Sequence, residues 1–286
     1  MSILKTENLT YCYSQGTPFE MKALSDVNIE IEEGELVAVI GHTGSGKSTL
    51  IQHFNGLLKP SSGSVIVDGR NIWENKEILR KTRFKVGLCF QYPEYQLFEE
   101  TVYKDISFGP HNMGLDDDEI DRRVKSAAKF VGLTPEMLDK SPFDLSGGEK
   151  RRAAIAGVMA MEPKILILDE PTSGLDPHGR DTILGLIREY REETKSTVMI
   201  VSHSMEDVAK IATKVLVMNS SRVFSYDTVD ETYKHAQELL KIGLDVPQIT
   251  KVFMGLHEKG LPVRTDIYTV EQGVEEIKRL RGEQHG

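Results

Sequence analysis

The chain is short of the residues that staple or wrap unusual folds. Cys12 and Cys89 are the two cysteines among 286 residues, with no metal-ligand spacing and no second pair. Both are expected to be small reduced hydrophobes of a cytosolic protein. Long apolar runs are missing as well. The longest, AAIAGVMAM at 153–161, has nine residues, far below the roughly 20 of a spanning helix, so the chain is expected not to cross a membrane. No basic segment followed by an apolar one marks a leader at the N-terminus. Positive charge is not in surplus either: the formal net charge is -9 and the pI about 5.5, with basic residues scattered in pairs such as Arg122-Arg123 and Arg151-Arg152. Nucleic acid is therefore not the expected partner. No internal repeat is visible.

What is present alternates strand and helix signals. Residues 3–13 and 27–31 alternate like strands of a partly exposed sheet, and ELVAVI at 35–40 reads as a buried strand. KSTLIQHFNGLL follows as a helix, with Leu50, Ile51, Phe54, Leu57 and Leu58 on one face. PSSG turns the chain into the strand and turn SVIVDG. From about 91 to 160 the texture becomes aromatic, Pro-bearing and helical. Asp116 caps a helix carrying Ile120, Val124, Ala127, Ala128 and Val131 on one face, and Gly132 stops it. Strands return at 164–170, 196–203 and 214–218, and sheet signals end near 225. Two short amphipathic helices follow. Pro247 suits the first turn of one, striped by Ile249, Val252, Phe253 and Leu256 and closed by Gly260; Val270, Val274, Ile277 and Leu280 stripe the other. These stripes either cover the sheet or form a small interface.

GHTGSGKST at 41–49 fits G-x-x-x-x-G-K-[ST], with a buried strand before it and a helix after it. In the loop formed by Gly41, His42, Thr43, Gly44, Ser45 and Gly46, the glycines let successive N–H groups face phosphate oxygens. Lys47 reaches the β and γ phosphates, and Ser48, followed by Thr49, ligates Mg²⁺. A nucleoside triphosphate is the expected ligand. KILILDEP supplies a matching acid: Asp169 ends a buried strand, placed for the magnesium shell, and Glu170 beside it can polarise a water. LSGGEKRR at 145–152 looks like a second anion site, since Ser146, Gly147, Gly148 and Glu149 lead into a helix whose first N–H groups are unpaired.

Phosphate loop, FQYPEYQ, LSGGE, LILDEP, SGLD and SH, in that order, resemble an ABC-type ATPase across residues 3 to about 225. The resemblance implies an α/β P-loop NTPase fold: an ABC-type nucleotide-binding domain over 1–225 with an antiparallel β subdomain and a helical subdomain at about 91–160, then a small C-terminal helical extension over 226–286. It implies ATP with Mg²⁺, Tyr13 stacked on adenine with Tyr11 as the rival, and Gln91 coupling metal and water to a partner surface. Asp176 falls in the loop crossing between subunits, and His203 at the γ phosphate. Two such chains face each other head to tail, so Ser146, Gly147 and Gly148 of one cap the nucleotide of the other. The family most often has Gln where this chain has Glu149. A phosphate-loop kinase would leave LSGGE and SGLD without a role. A soluble ABC ATPase acting on ribosomes or DNA tends to carry two cassettes, or a coiled-coil or basic insertion, and neither is visible here.

Residues 90–114 together with 243–263 are similar to the ATPases of energy-coupling factor transporters, and QYPEYQLFEETV with PTSGLDPHGR to the second of their two ATPase subunits. That resemblance implies a peripheral subunit on the cytoplasmic face of the cell membrane. It pairs with a paralogous ATPase subunit, or with itself in isolation, through the C-terminal extension. A transmembrane scaffold and an exchangeable substrate-binding membrane protein complete the importer of vitamins or metal ions. QYPEYQLFEETV would line a groove for a short scaffold helix, with Tyr92, Tyr95, Leu97 and Phe98 as walls and Glu94 among the rim acids. The bland reading of the same stretch is a helix packed into its own domain.

Overall fold

The computed structural model describes residues 2–282; the last four residues of the expected extension lie outside the described residues. The chain runs through β1 (Ser2–Tyr13), β2 (Met21–Glu32), β3 (Leu36–Gly41), α1 (Lys47–Phe54), β4 (Ser62–Val67), β5 (Arg70–Asn71), α2 (Lys76–Lys85) and β6 (Val86–Cys89). The helices α3 (Val102–Met113), α4 (Asp117–Phe130), α5 (Pro135–Leu138) and α6 (Gly147–Met159) follow. Then come β7 (Ile165–Asp169), α7 (Pro177–Thr194), β8 (Thr197–Val201), α8 (Met205–Ile211), β9 (Lys214–Asn219) and β10 (Arg222–Thr228). The described chain closes with α9 (Val229–Lys234), α10 (Ala236–Lys241), α11 (Gln248–Glu258) and α12 (Val270–Leu280).

Periodicity sorts the strands into two sheets. β1, β2, β4 and β5 form an antiparallel sheet in the order β2-β1-β4-β5, and the others a sheet in the order β10-β9-β3-β8-β7-β6. In the second, β3, β7 and β8 are buried at every residue, as parallel strands covered on both faces must be. On one face Leu50, Ile51 and Phe54 of α1 pack with Leu9, Leu24 and Val27 of the antiparallel sheet. On the other, α3, α4, α6 and α7 contribute Ile106, Val124, Ile155 and Ile187. Parallel register sets the site. Val201 pairs with both Val39 and Asp169, so Gly41, Glu170 and His203 emerge together at the carboxyl ends of three strands, where open α/β sheets bind ligands.

Several boundaries differ from expectation for local reasons. β2 begins at Met21 rather than 27, because Asp26, at φ 53, breaks the alternation that marks a strand. α1 ends at Phe54: Asn55 bonds Val86 O and Gly56 takes φ +70, so Leu57 and Leu58 leave the helical stripe. The sheet runs to Thr228, and four helices follow it rather than two. Core packing also continues past 225. Val229, Tyr233, Ala236, Leu239, Leu244 and Val246 join the main core, and a separate small core of Phe253, Val263 and Ile267 begins only after Pro247, which caps α11 instead of entering it. Both cysteines are free, and burial pushes the Cys89 thiol up to about 12, so it is an inert packing group. Among the described residues no helix is long and apolar enough to cross a membrane.

Candidate active site

The phosphate loop is shaped by contacts that only glycine allows. A Cβ on Gly41 (φ +153) would lie 2.3 Å from Met218 O, and one on Gly46 (φ +103) 2.5 Å from Ala23 O. Lys47 follows. Its ammonium donates to Gly41 O at 2.6 Å and His42 O at 2.9 Å, leaving the third N–H for a ligand. Burial pulls the Lys47 pKa below the usual lysine range, against the neighbouring Glu170 and Asp169. Thr43, Gly44, Gly46, Lys47, Ser48 and Thr49 line a cavity of about 520 Å³. Gly41, His42 and Ser45 do not line it; the Ser45 Oγ is buried beneath the loop without a partner.

One carboxylate, Glu170, lines this cavity, and a second, Asp169, is buried beside it. Asp169 is buried at the end of β7. Its carboxyl is held above the usual range chiefly by burial and also by Glu170, against a Ser48 hydrogen bond, Lys47 and His203. Glu170 adopts φ 50, an uncommon conformation for a non-glycine residue, with its N–H donating to Val201 O at 3.0 Å. That backbone turns its side chain away from the strand direction. Gln91 Nε2 donates to Glu170 Oε2 at 2.8 Å and His203 Nε2 meets Oε1 at 2.9 Å. Three segments far apart in sequence thus converge on one carboxylate.

The fold separates the two tyrosines. Tyr13 lines the cavity and its hydroxyl lies 3.1 Å from Thr49 Oγ1, whereas Tyr11 stands behind it, edge-on to Tyr13 and to buried His53 at 4.8 Å between centroids. Met21, Lys22 and Ala23 of β2 also line the cavity; sequence reasoning missed them, since a half-exposed strand carries no local mark of a site.

Ser146, Gly147, Gly148 and Glu149 are not brought to this cavity. They open α6, where Glu149 completes a capping box: Ser146 N donates to Glu149 Oε2 at 2.7 Å and Glu149 N to Ser146 Oγ at 3.4 Å. The Ser146 hydroxyl first, and then its backbone N–H, hold the Glu149 carboxyl below the usual range. Asp176 caps α7, accepting from Gly179 N at 2.7 Å. Glu94 is a correction. Its carboxylate does not rim an outer groove but accepts from the buried Arg151 guanidinium at 3.1 and 2.9 Å, while Arg151 Nη1 donates to Ser173 O at 2.6 Å. The stretch around it is also not a helix beyond the single turn Pro93–Gln96.

Cavity, clasped carboxylate and a glycine-led helix pointing elsewhere define one nucleotide half-site of an ATP-binding cassette. A sequence model of the ABC transporter family matches residues 24–173. The "Energy-coupling factor transporter ATP-binding protein EcfA2" of Clostridium acetobutylicum is 58% identical over 278 residues, covering 97% of each chain. Its namesake in Clostridium perfringens is 57% identical, over 97% of this chain and 98% of that protein. Among solved structures, cbiO1 from Clostridium perfringens, described as part of the ABC transporter complex cbiONQ, superposes with a TM-score of 0.75 at 43% identity, covering 88% of this chain and 98% of that one. A dimeric cassette in a post-hydrolysis state with ADP and Pi reaches 0.71 at 28% identity, covering 79% and 98%. The chain belongs to the ABC transporter ATPases and, within them, to the energy-coupling factor ATP-binding proteins: it binds and hydrolyses ATP.

Proposed function

We propose that this ATPase drives an energy-coupling factor importer for vitamins or metal ions, as one half of an ATPase pair on the cytoplasmic face of the membrane. The observation that carries the reading is the Glu170 carboxylate held between Gln91 and His203 at the mouth of the phosphate-loop cavity. Tyr13 is the adenine platform, backed by Tyr11, and Lys47 with the loop N–H groups takes the phosphates. Ser48 and Asp169 offer a hydroxyl and a buried carboxylate, hard oxygen donors that fit Mg²⁺. Among the described residues no cluster of three His, Cys, Asp or Glu could cage a metal alone, which suits an ion completed by phosphates and water, with Gln91 nearby. Bound there, the ion would neutralise phosphate charge. Glu170 acts as general base toward the attacking water. For His203 to meet a γ phosphate, its Nε2 has to release Glu170 Oε1, and that same movement frees the oxygen to accept a proton.

Two exposed surfaces support the partners. Val252, Val270, Val274 and Ile277 are 53%, 64%, 49% and 37% exposed, whereas Ile249, Phe253, Leu256 and Leu280 pack into the small C-terminal core, so this chain uses most of the first stripe and little of the second. The exposed residues, mostly on α12, fit a paralogous ATPase subunit, or a second copy in isolation. A groove of about 310 Å³ is walled by Phe98 and Phe108, edge-on at 5.1 Å, with Leu97, Arg83 and Asp105, and fits a short helix of a transmembrane scaffold. An exchangeable membrane protein then carries substrate specificity. The test is affinity purification from detergent-solubilised membranes: co-elution of two membrane proteins and a second ATPase is expected, with a vitamin or metal ion bound. Recovery of ribosomes or DNA, or of this chain alone, refutes it. Ending the chain after Val246 should leave a folded ATP-binding subunit that pairs poorly, since each apolar side chain buried at an interface is worth about 1.5–3 kcal/mol. Undiminished pairing by sedimentation removes the dimerisation role.

A further inference from the structure

His42 belongs to the phosphate loop, yet its ring turns out of the nucleotide cavity and into the C-terminal extension. Its Nε2 lies 2.5 Å from Ile242 O. A carbonyl only accepts, so this nitrogen carries the proton. Ile242 is the C-cap of α10, and the chain turns there through Gly243 at φ +76: Gly243 N donates to Leu240 O and Leu244 N to Leu239 O, both at 2.9 Å. This paired turn satisfies the Leu239 and Leu240 carbonyls and leaves those of Lys241 and Ile242, of which His42 takes the second. A Cβ on Gly243 would lie 3.2 Å from His42 Cε1, so ring and turn are in contact.

The turn is not a loose neighbour. Leu244 and Val246, 5% and 1% exposed, anchor it in the main core immediately before α11. On its far side the extension also holds the segment after His203: Tyr233 Oη donates to Met205 O and Gln248 N to Glu206 Oε1, each at 3.1 Å. Within the loop, the His42 carbonyl accepts from Lys47 Nζ at 2.9 Å and from Ser45 N at 3.0 Å. One residue therefore joins the phosphate-binding lysine, through its backbone, to the extension, through its side chain.

We propose that residues 242–248 buttress the phosphate loop from outside the nucleotide cavity and that His42 is a positioning residue coupling ATP occupancy to the module of α11 and α12. Coupling between two sites is reciprocal: if the extension steadies the loop, nucleotide steadies the extension. The proposal rests on ATP binding alone, not on what hydrolysis drives.

The full-length chain and its His42→Ala, His42→Gln and Gly243→Ala variants test this, by calorimetric titration with a non-hydrolysable ATP analogue and by amide hydrogen exchange over residues 242–258 with and without it. In the parent the analogue should slow exchange there. His42→Ala should bind about three- to tenfold more weakly, the value of one hydrogen bond, and lose that protection. His42→Gln, which keeps a donor, should recover most of both, and Gly243→Ala should act in the same direction as His42→Ala from the other side of the contact. Exchange in the parent that ignores the analogue overturns the coupling. Equal weakness of His42→Ala and His42→Gln overturns it too, because loop shape alone would then be at work. A parent that binds no analogue strikes at the ATPase reading itself and removes this proposal with it.

Discussion

Two pairs of glycines lead into two helices in this molecule, and they are there for opposite reasons. Gly41 and Gly46 sit at φ values that side chains rarely adopt, each with a backbone oxygen where a Cβ would go, so this chain's own folding demands them. Gly147 and Gly148 begin α6 without positive φ. Nothing lies within 4 Å of a Cβ built on Gly147, and only Arg152 Nη1, at 3.8 Å, approaches one on Gly148. Among the described residues no contact requires their smallness. We propose that the demand comes from outside, the second helix start serving as the lid for another subunit's nucleotide, whereas the first is a cradle on this chain.

The largest effect expected concerns the step that needs both halves. Glu170→Gln keeps the size of the side chain between Gln91 and His203 but removes the proposed base, so turnover by the assembled pair should fall on the order of 10² to 10⁴ while ATP affinity stays near the parent's. Steady-state phosphate release and nucleotide titration on the same preparation check both. Near-normal release moves the catalytic role to another group.

Next in size is the contrast between the glycines themselves. Gly46→Ala forces a side chain into a left-handed conformation against Ala23 O, which should cost about 1–3 kcal/mol of stability and abolish tight ATP binding. Gly148→Asp places an acid where a helix N-terminus favours it, so thermal stability and ATP binding of the lone subunit should match the parent. Hydrolysis by the pair should collapse, because the new charge meets a partner's phosphates. Loss of ATP binding by the isolated Gly148→Asp subunit would break the comparison, since α6 would then serve its own chain's nucleotide.

How much of this was legible beforehand follows the range over which each feature is written. The phosphate loop and the Asp169-Glu170 pair are encoded within a few residues, and Thr43, Gly44, residues 46–49 and Glu170 of them meet at one cavity. Tyr11 and Tyr13 occupy the same face of one strand, so only packing, with Tyr11 against His53 and Tyr13 at the cavity, separates them. Glu94 read as a rim acid because its partner, Arg151, lies 57 residues away; no local pattern announces such a pair. Met21 and Ala23 reach the site through the register of β1 and β2, which spacing alone does not reveal. The stripes on α11 and α12 were visible, but their division into an inner core and an outer face depends on how the two helices cross, with Gly273 against Phe253 and Ile249.

The smallest effect belongs to Glu149, where the two halves come nearest to conflict. Its carboxylate folds back on Ser146 N within the capping box and supports the helix start, yet its charge has the sign of the phosphates that α6 is proposed to cap. Glutamine fills the same place in a capping box without charge. Glu149→Gln should therefore leave the melting temperature nearly unchanged and tighten ATP-dependent pairing about two- to fivefold at low salt, the range of an exposed charge interaction. The gain should shrink as ionic strength rises, because screening shortens the reach of exposed charges. Sedimentation of parent and variant with ATP, at two salt concentrations and with hydrolysis blocked by Glu170→Gln, measures it. Identical pairing at low salt means that Glu149 stays too far from the partner's phosphates to matter, and a gain that persists undiminished in high salt means that it acts by contact and not by charge.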